Sequence, residues 1–195
     1  MQRQGLAAAL MSPRVTEVLL RNSHAPVELA VYEWSGPNHQ VIIQPWIVID
    51  AANLQKTANT LHTVPRVAGD PTTAIGSAIL FGTALLTQRR HCWQHTLDLS
   101  GDGPANTGPR PQDIAPLAQQ PSITINGLVI GAGDSLSRDA HVEQLKALSA
   151  YYSAYVLRGP EAFVETATGF DDYAAAMERK LLRELQTVAL SQMQH

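Results

Sequence analysis

The sequence is short of the residues on which several classes of function depend. It contains one cysteine, Cys92, among 195 residues, which excludes an intrachain disulfide and a multi-cysteine zinc site. Charged residues make up 16% of the chain and the net charge is −3, so no excess of positive charge favours nucleic acid or an anionic membrane. No uninterrupted apolar run reaches transmembrane length. We therefore expect neither nucleic acid nor a membrane as a partner.

The beginning of the chain also lacks the features of an export signal. Residues 1–10 form too short and too polar a stretch for a signal peptide, so the sequence as written predicts a cytoplasmic protein. Hydrophobic residues make up 45% of the chain, which is enough to bury a sizeable core at this length. We interpret residues 1–195 as a single domain, because no repeat or linker divides them.

Hydrophobic periodicity and turn residues predict strands that alternate with helices. The predicted strands are Val27–Trp34 and Val41–Trp46, which form a hairpin, followed by Thr96–Leu99, Ile123–Ile130 and Phe163–Thr166. The predicted helices are residues 1–20 with an interruption at Pro13, Asp50 to His62, Thr73 to Gln88, Pro111–Gln120, His141–Tyr155 and Phe170–Leu190. This order predicts an α/β domain with a mostly parallel sheet and helices on both faces.

The loop after the third predicted strand is a candidate ligand site, because open α/β sheets bind ligands beyond the carboxyl ends of their strands. Asp98, Ser100 and Asp102 stand at alternate positions, so an extended backbone would direct their oxygens to one side. Gly101 and Gly103 allow the chain to bend there. Oxygen ligands of this kind suit Mg²⁺. The simpler alternative is a polar turn whose acids cap the next helix.

A second candidate loop, Gly69–Gly76, introduces the helix that is predicted to begin at Thr73. Thr72 and Thr73 are typical helix N-cap residues, which is one interpretation of this segment. The other interpretation gives one threonine hydroxyl to a metal ion or to a water bound to it.

Six segments of the chain carry a resemblance to a known family. They are Tyr32-Glu-Trp-Ser-Gly-Pro37, Pro45-Trp46, Thr73-Ala-Ile-Gly-Ser-Ala-Ile79, Asp98-Leu-Ser-Gly-Asp-Gly103, Ile123-Thr-Ile-Asn-Gly-Leu128 and Gly159-Pro-Glu-Ala-Phe163. In this order they resemble an uncharacterised bacterial family that is similar to von Willebrand factor type A domains. The resemblance implies a doubly wound α/β fold with a metal-ion-dependent adhesion site (MIDAS).

The resemblance also implies how such a site works. In a MIDAS, an Asp-x-Ser-x-Ser motif after the first strand, a Thr from a second loop and an Asp from a third loop hold a divalent ion such as Mg²⁺. The ion then accepts a carboxylate from a protein partner. In this sequence the second-loop Thr corresponds to Thr73 and the third-loop Asp corresponds to Asp102.

The sequence departs from the family pattern at its start. It contains no Asp-x-Ser-x-Ser, and residues 1–20 resemble the helix after the first strand, so we expect that central strand to be missing. Its loss would leave open sheet edges that are prone to self-association. We interpret the chain as a domain with a late start, whose longer form would be periplasmic or secreted. The remaining MIDAS is then degenerate, with Mg²⁺ affinity of about 1 mM or weaker.

The sequence contains candidates for two other kinds of site. Gly133-Asp-Ser-Leu136 looks like the nucleophile block of a hydrolase family, with Ser135 as nucleophile, but only His141 and His195 follow it as bases. The spacing of His91 and His95 would suit a metal on a helix, but a strand is predicted to begin there.

The sequence therefore predicts a non-catalytic, adhesion-type domain that binds an unknown protein partner. The alternative is a serine hydrolase that uses Ser135. Asn106 and Thr107 follow Asp102 in the same loop, and we assign them no role. The tyrosines at 151, 152 and 155 are interpreted as packing residues.

Overall fold

The computed structural model describes residues 1–21, 26–65, 67–114, 123–131 and 137–192. The strands are β1 (Glu28–Trp34), β2 (Gln40–Val48), β3 (His95–Gly101), β4 (Ile123–Ile130) and β5 (Val164–Ala167). The helices are α1 (Gln2–Leu10), α2 (Pro13–Arg21), α3 (Ala51–Thr63), α4 (Ile75–Leu86), α5 (Arg138–Tyr155) and α6 (Tyr173–Gln192).

All five predicted strands are confirmed, and each begins and ends within two residues of the expected positions. Pro13 ends the first helical stretch as expected, and it begins α2 because its missing N–H costs nothing at a first helical position. Asp50 caps α3, since its side chain accepts a hydrogen bond from the Asn53 N–H. The helix predicted over Pro111–Gln120 is not confirmed: residues 111–114 form a turn, and 115–120 lie outside the described residues.

The chain divides into two compact units. Unit 1 comprises Met1–Glu33, Val41–Val67 and Phe170–His195, and unit 2 comprises Trp34–Gln40 and Ala68–Gly169. In unit 1, α1 packs against α3 and α6, and α2 packs against α6. The buried core of unit 1 consists of Ala7, Leu10, Val15, Leu19, Ile43, Ile49, Leu54, Ala58, Leu61 and Leu182. The interpretation of the whole chain as a single domain stays a prediction.

The described strands form two sheets instead of one. β1 pairs with β2, and β3, β4 and β5 form a second sheet in that order. The Ser35 N–H donates to the His39 carbonyl and the Ile49 N–H donates to the Val27 carbonyl, which is the bonding of a hairpin. Among the strands that the structure describes, none pairs β1 with β3.

Unit 2 is built on the parallel sheet. β3 is parallel to β4, with Leu99 opposite Gly127, and β4 is parallel to β5. The central strand β4 is buried at seven of its eight positions, and β3 alternates between buried and half-buried residues. Helix α4 packs against β3, and α5 packs against β4 and β5. Because the strands are parallel, their carboxyl ends lie at one edge of this sheet.

In the described part of the chain, no helix is both long enough and apolar enough to cross a bilayer.

Candidate functional site

Three loops of unit 2 contact one another. We call them the hairpin tip (residues 35–39), the threonine loop (residues 69–74) and the acidic loop (residues 102–110). A Cβ at Gly108, which has a φ of +69°, would lie 3.4 Å from Ala74 Cβ and 3.5 Å from Pro37 Cγ. The acidic loop is therefore packed against both of the other loops. The left-handed φ also explains why glycine stands at this position.

The threonine loop and the acidic loop are joined through Thr73 and Asn106. The Thr73 N–H donates to Asn106 Oδ1 at 2.8 Å, and the Asn106 N–H donates to the Thr73 carbonyl at 3.0 Å. Both polar groups of the Thr73 backbone are thus held by one residue of the acidic loop. The side chain of Thr73 is half-buried at this junction.

The threonine loop is joined in turn to the hairpin tip through Ser35. The Asp70 N–H donates to Ser35 Oγ at 3.1 Å, and the Ala74 N–H donates to the Ser35 carbonyl at 2.8 Å. The Asp70 carboxylate accepts hydrogen bonds from the hydroxyl and the N–H of Thr72. These two bonds, with a smaller contribution from the charge of His39, lower the pKa of the fully exposed Asp70.

The helix-cap interpretation of the two threonines is wrong. Helix α4 begins at Ile75, its N-cap residue is Ala74, and no side chain caps it. Thr72 instead donates its hydroxyl to Asp70, and Thr73 precedes the cap position. The threonine loop is hydrogen-bonded to Ser35 and to Asn106. These bonds to distant residues take the place of a side-chain cap at the start of α4.

Asp102 follows β3 directly and its side chain is exposed. The alternation expected before it is confirmed, since Asp98 and Ser100 are both half-buried while Leu97 and Leu99 are buried. Beyond Asp102, the Ala105 N–H donates to the Tyr151 hydroxyl at 3.3 Å. The start of the acidic loop is therefore held between the end of β3 and this bond to α5.

Tyr152 lies beneath the same loop and is fully buried. Its hydroxyl oxygen has no hydrogen-bond partner among the described residues. Burial raises the pKa of this hydroxyl strongly, and the negative charge of Asp102 raises it further. Tyr152 is therefore a protonated donor at neutral pH.

The oxygen atoms of this site suit a divalent cation. Within the described part of the chain, the Thr73 hydroxyl and the Asp102 carboxylate have no hydrogen bond or ion pair. Hydroxyl and carboxylate oxygens are hard ligands of the type that Mg²⁺ accepts alongside several waters. Thr73 and Asp102 therefore carry oxygen atoms of the chemical type that could hold such an ion.

Of the other candidates from the sequence, the structure describes the histidines His95 and His141, whereas Ser135 lies outside the described residues. The ring of His141 is in contact with the end of β4, where a Cβ at Gly131 would lie 2.6 Å from its Nε2. His95 begins β3, as predicted, and its Nε2 lies 2.7 Å from the Arg89 carbonyl.

Two residues of the site received no functional role from the sequence. Asn106 has no pattern that distinguishes it from other loop asparagines, and Tyr152 was interpreted only as a packing residue. One feature of the sequence could have indicated the close approach of a side chain such as Tyr152: each of the two strands β3 and β4 contains a glycine, Gly101 and Gly127. Glycine within a strand often marks the close approach of another group.

Comparison with known proteins identifies the family and the fold. The family described as "Protein of unknown function (DUF1194)" matches residues 1–189. No curated protein matches the chain at a significant level. Among solved structures, proximal thread matrix protein 1 from the mussel byssus is similar with a TM-score of 0.57 and 15% identity, over 92% of this chain and 41% of that one. Another structure of that mussel protein is described as having a zinc-occupied MIDAS motif.

Two bacterial structures have the same fold. The pilus adhesin SpaC from Lactobacillus rhamnosus GG has a TM-score of 0.60 and 13% identity, over 95% of this chain and 28% of that one. A von Willebrand factor type A protein from Catenulispora acidiphila has a TM-score of 0.53 and 15% identity, over 94% of this chain and 38% of that one. The chain thus spans well under half the length of each of these proteins, and at these identities the likeness concerns the fold. The chain belongs to the DUF1194 family, and its fold is the α/β fold of von Willebrand factor type A domains.

Proposed function

We propose that this chain is a non-catalytic, adhesion-type domain that binds a protein partner through a divalent cation held by Thr73 and Asp102. The observation that carries the proposal is the bonding of Thr73 to Asn106 across the two loops. It links the threonine loop to the segment that follows Asp102.

The fold supports the same proposal. Von Willebrand factor A neighbours include an adhesin and a matrix protein, and one of their structures has an occupied MIDAS. Two protein ligands leave most positions of an octahedral ion to water, so we expect weak binding of Mg²⁺, at about 1 mM or weaker. The same open positions are where a carboxylate of the partner would bind.

The serine hydrolase alternative gains no support from these comparisons, because the structures that share the fold are described as matrix, adhesin and von Willebrand factor A proteins. We also propose that the protein is located outside the cytoplasm, because one of the structures with the same fold is a pilus adhesin. Cell fractionation with an antibody against the chain tests this location, and recovery of the protein only from the cytoplasm would contradict it.

The cation site is tested by titrating Mg²⁺ into the protein and recording the NMR shifts of the backbone amides of Gly103 and Asn106. We expect saturable shifts in the wild-type protein and none in Asp102→Ala. Thr73→Val, which replaces the hydroxyl with a methyl group of similar size, should weaken binding, and Thr73→Ser should retain it. Asp113→Ala is the control, because this exposed carboxylate pairs with Arg110 at 2.8 Å.

Two results would contradict the cation site. One is a wild-type protein whose amide shifts do not saturate with Mg²⁺. The other is an Asp102→Ala variant that binds as the wild type does, or that differs no more than Asp113→Ala.

A further inference from the structure

Tyr152 lies in a slot made by two glycines of the parallel sheet. A Cβ at Gly127 of β4 would lie 2.7 Å from Tyr152 Cδ1 on the ring. A Cβ at Gly101, the last residue of β3, would overlap the Tyr152 hydroxyl oxygen. The ring therefore crosses from the middle of β4 toward the end of β3, and its hydroxyl lies beside the residue that precedes Asp102.

The hydroxyl is not explained by packing. A phenylalanine would fill the slot without placing a donor where the described residues offer no acceptor. Buried polar groups without partners are rare, and each one calls for an explanation such as a bound ion or an alternative partner. Asp102 follows Gly101 directly, and its carboxylate is a hydrogen-bond acceptor whose negative charge acts on Tyr152.

We propose that Tyr152 is a positioning residue for Asp102, and that its hydroxyl donates a hydrogen bond to the Asp102 carboxylate when this carboxylate holds a cation. This inference rests on the cation site proposed above. Carboxylates that bind metals are themselves held by hydrogen bonds, which fix the direction of the free oxygen atom. One oxygen of Asp102 would face the cation and the other would accept the bond from Tyr152.

The surroundings allow this bond to form. The position of a Cβ at Gly103 has no atom within 4 Å, so the chain beside Asp102 has room to turn. Tyr152 itself is held by the sheet and cannot move as far, since Gly101 and Gly127 contact both ends of its side chain. Asp102 is therefore the partner that moves when the bond is made.

The test is the substitution Tyr152→Phe, which removes only the hydroxyl. We expect Mg²⁺ affinity to fall about tenfold or more, as is typical when a group that holds a metal ligand is removed. The midpoint of urea unfolding without Mg²⁺ should stay the same or rise, because a buried donor without a partner is lost. Tyr155→Phe is the matched control on the same helix, since Tyr155 is 40% exposed. It should bind Mg²⁺ as the wild type does.

A second comparison separates positioning from a general effect on the loop. In an Asp102→Asn background, which weakens the site while retaining an oxygen, Tyr152→Phe should cause a smaller further loss of affinity than it does in the wild type. A loss of the same size in both backgrounds would overturn the inference, because Tyr152 would then act independently of the Asp102 carboxylate.

The remaining outcomes are equally decisive. If the wild type binds Mg²⁺ and Tyr152→Phe binds within twofold of it, the inference fails while the cation site stands. If Tyr152→Phe lowers the affinity together with the unfolding midpoint, the role is structural and the inference fails. A wild-type protein that does not bind Mg²⁺ overturns both the inference and the proposed cation site.

Discussion

Thr73 and Asn106 exchange two hydrogen bonds, one through the Asn106 side chain at 2.8 Å and one through its backbone at 3.0 Å. The two residues are 33 positions apart in the chain. Since both backbone groups of Thr73 are engaged, the direction in which its side chain leaves the backbone is restricted. The pair therefore holds the Thr73 backbone against the acidic loop and restricts where its side chain can reach.

Replacing Asn106 should loosen this junction. Asn106→Ala removes the acceptor of the Thr73 N–H, and we expect a loss of about 0.5–1.5 kcal/mol in the free energy of unfolding. Mg²⁺ binding should weaken as well. Asn106→Asp keeps an acceptor oxygen in the same place and should retain most of the stability. Urea unfolding measures the difference, and equal stability of the two variants would contradict the role of Oδ1.

The bonds from Thr72 to Asp70 should be visible in a pH titration. They lower the pKa of Asp70 from its ordinary value of 3.8. A carboxyl whose pKa is lower in the folded state stabilises the fold above its unfolded pKa, and this contribution is lost as the pH falls through the folded pKa. Thr72→Ala should move the pKa of Asp70 back up, whereas Thr72→Ser should not. NMR titration of the Asp70 side chain measures both, and an unchanged pKa in Thr72→Ala would disagree with this expectation.

The slot for Tyr152 predicts different tolerances for two glycines. Gly127→Ala places a methyl group 2.7 Å from a ring carbon that cannot move away, so we expect a loss of about 1–3 kcal/mol in stability. Gly103→Ala meets no atom within 4 Å and should change stability by less than about 0.5 kcal/mol. Thermal or urea unfolding compares the variants. Equal effects at the two positions would contradict the close packing of the ring.

Two ion pairs with the same helical spacing should differ in their contribution to stability. Lys180 pairs with Glu184 in α6, where the lysine side chain is 0% exposed, and Glu17 pairs with Arg21 in α2, where both side chains are 68% exposed. Glu184→Ala removes a charged partner of a buried ammonium group and should cost about 1.5–3 kcal/mol. Glu17→Ala should cost about 0.5 kcal/mol or less. Similar losses for both variants in urea unfolding would be inconsistent with the burial of Lys180.

The order of helices and strands could be predicted because it depends on neighbours in the sequence. The turn cluster after Trp34 separates β1 from β2, and Asp50 caps α3 through a bond to a residue three positions away. The resemblance also identified the family and the fold, which the comparisons confirm. Local patterns misled where a distant residue intervened, as at Thr72 and Thr73, which are bonded to Asp70 and Asn106 instead of capping α4.

The sequence by itself predicted the five strands, most of the helices and a mostly parallel sheet, and the family resemblance supplied the two oxygen ligands proposed for the cation. Only the tertiary structure decided how these ligands are supported. Asn106 meets Thr73, which is 33 positions away in the chain, and Tyr152 reaches Gly101, which is 51 positions away. Such contacts depend on how helices pack on the sheet, since periodicity records which face of an element is buried and not which residue it meets. The position of the Tyr152 hydroxyl beside Asp102 is therefore a property of the fold.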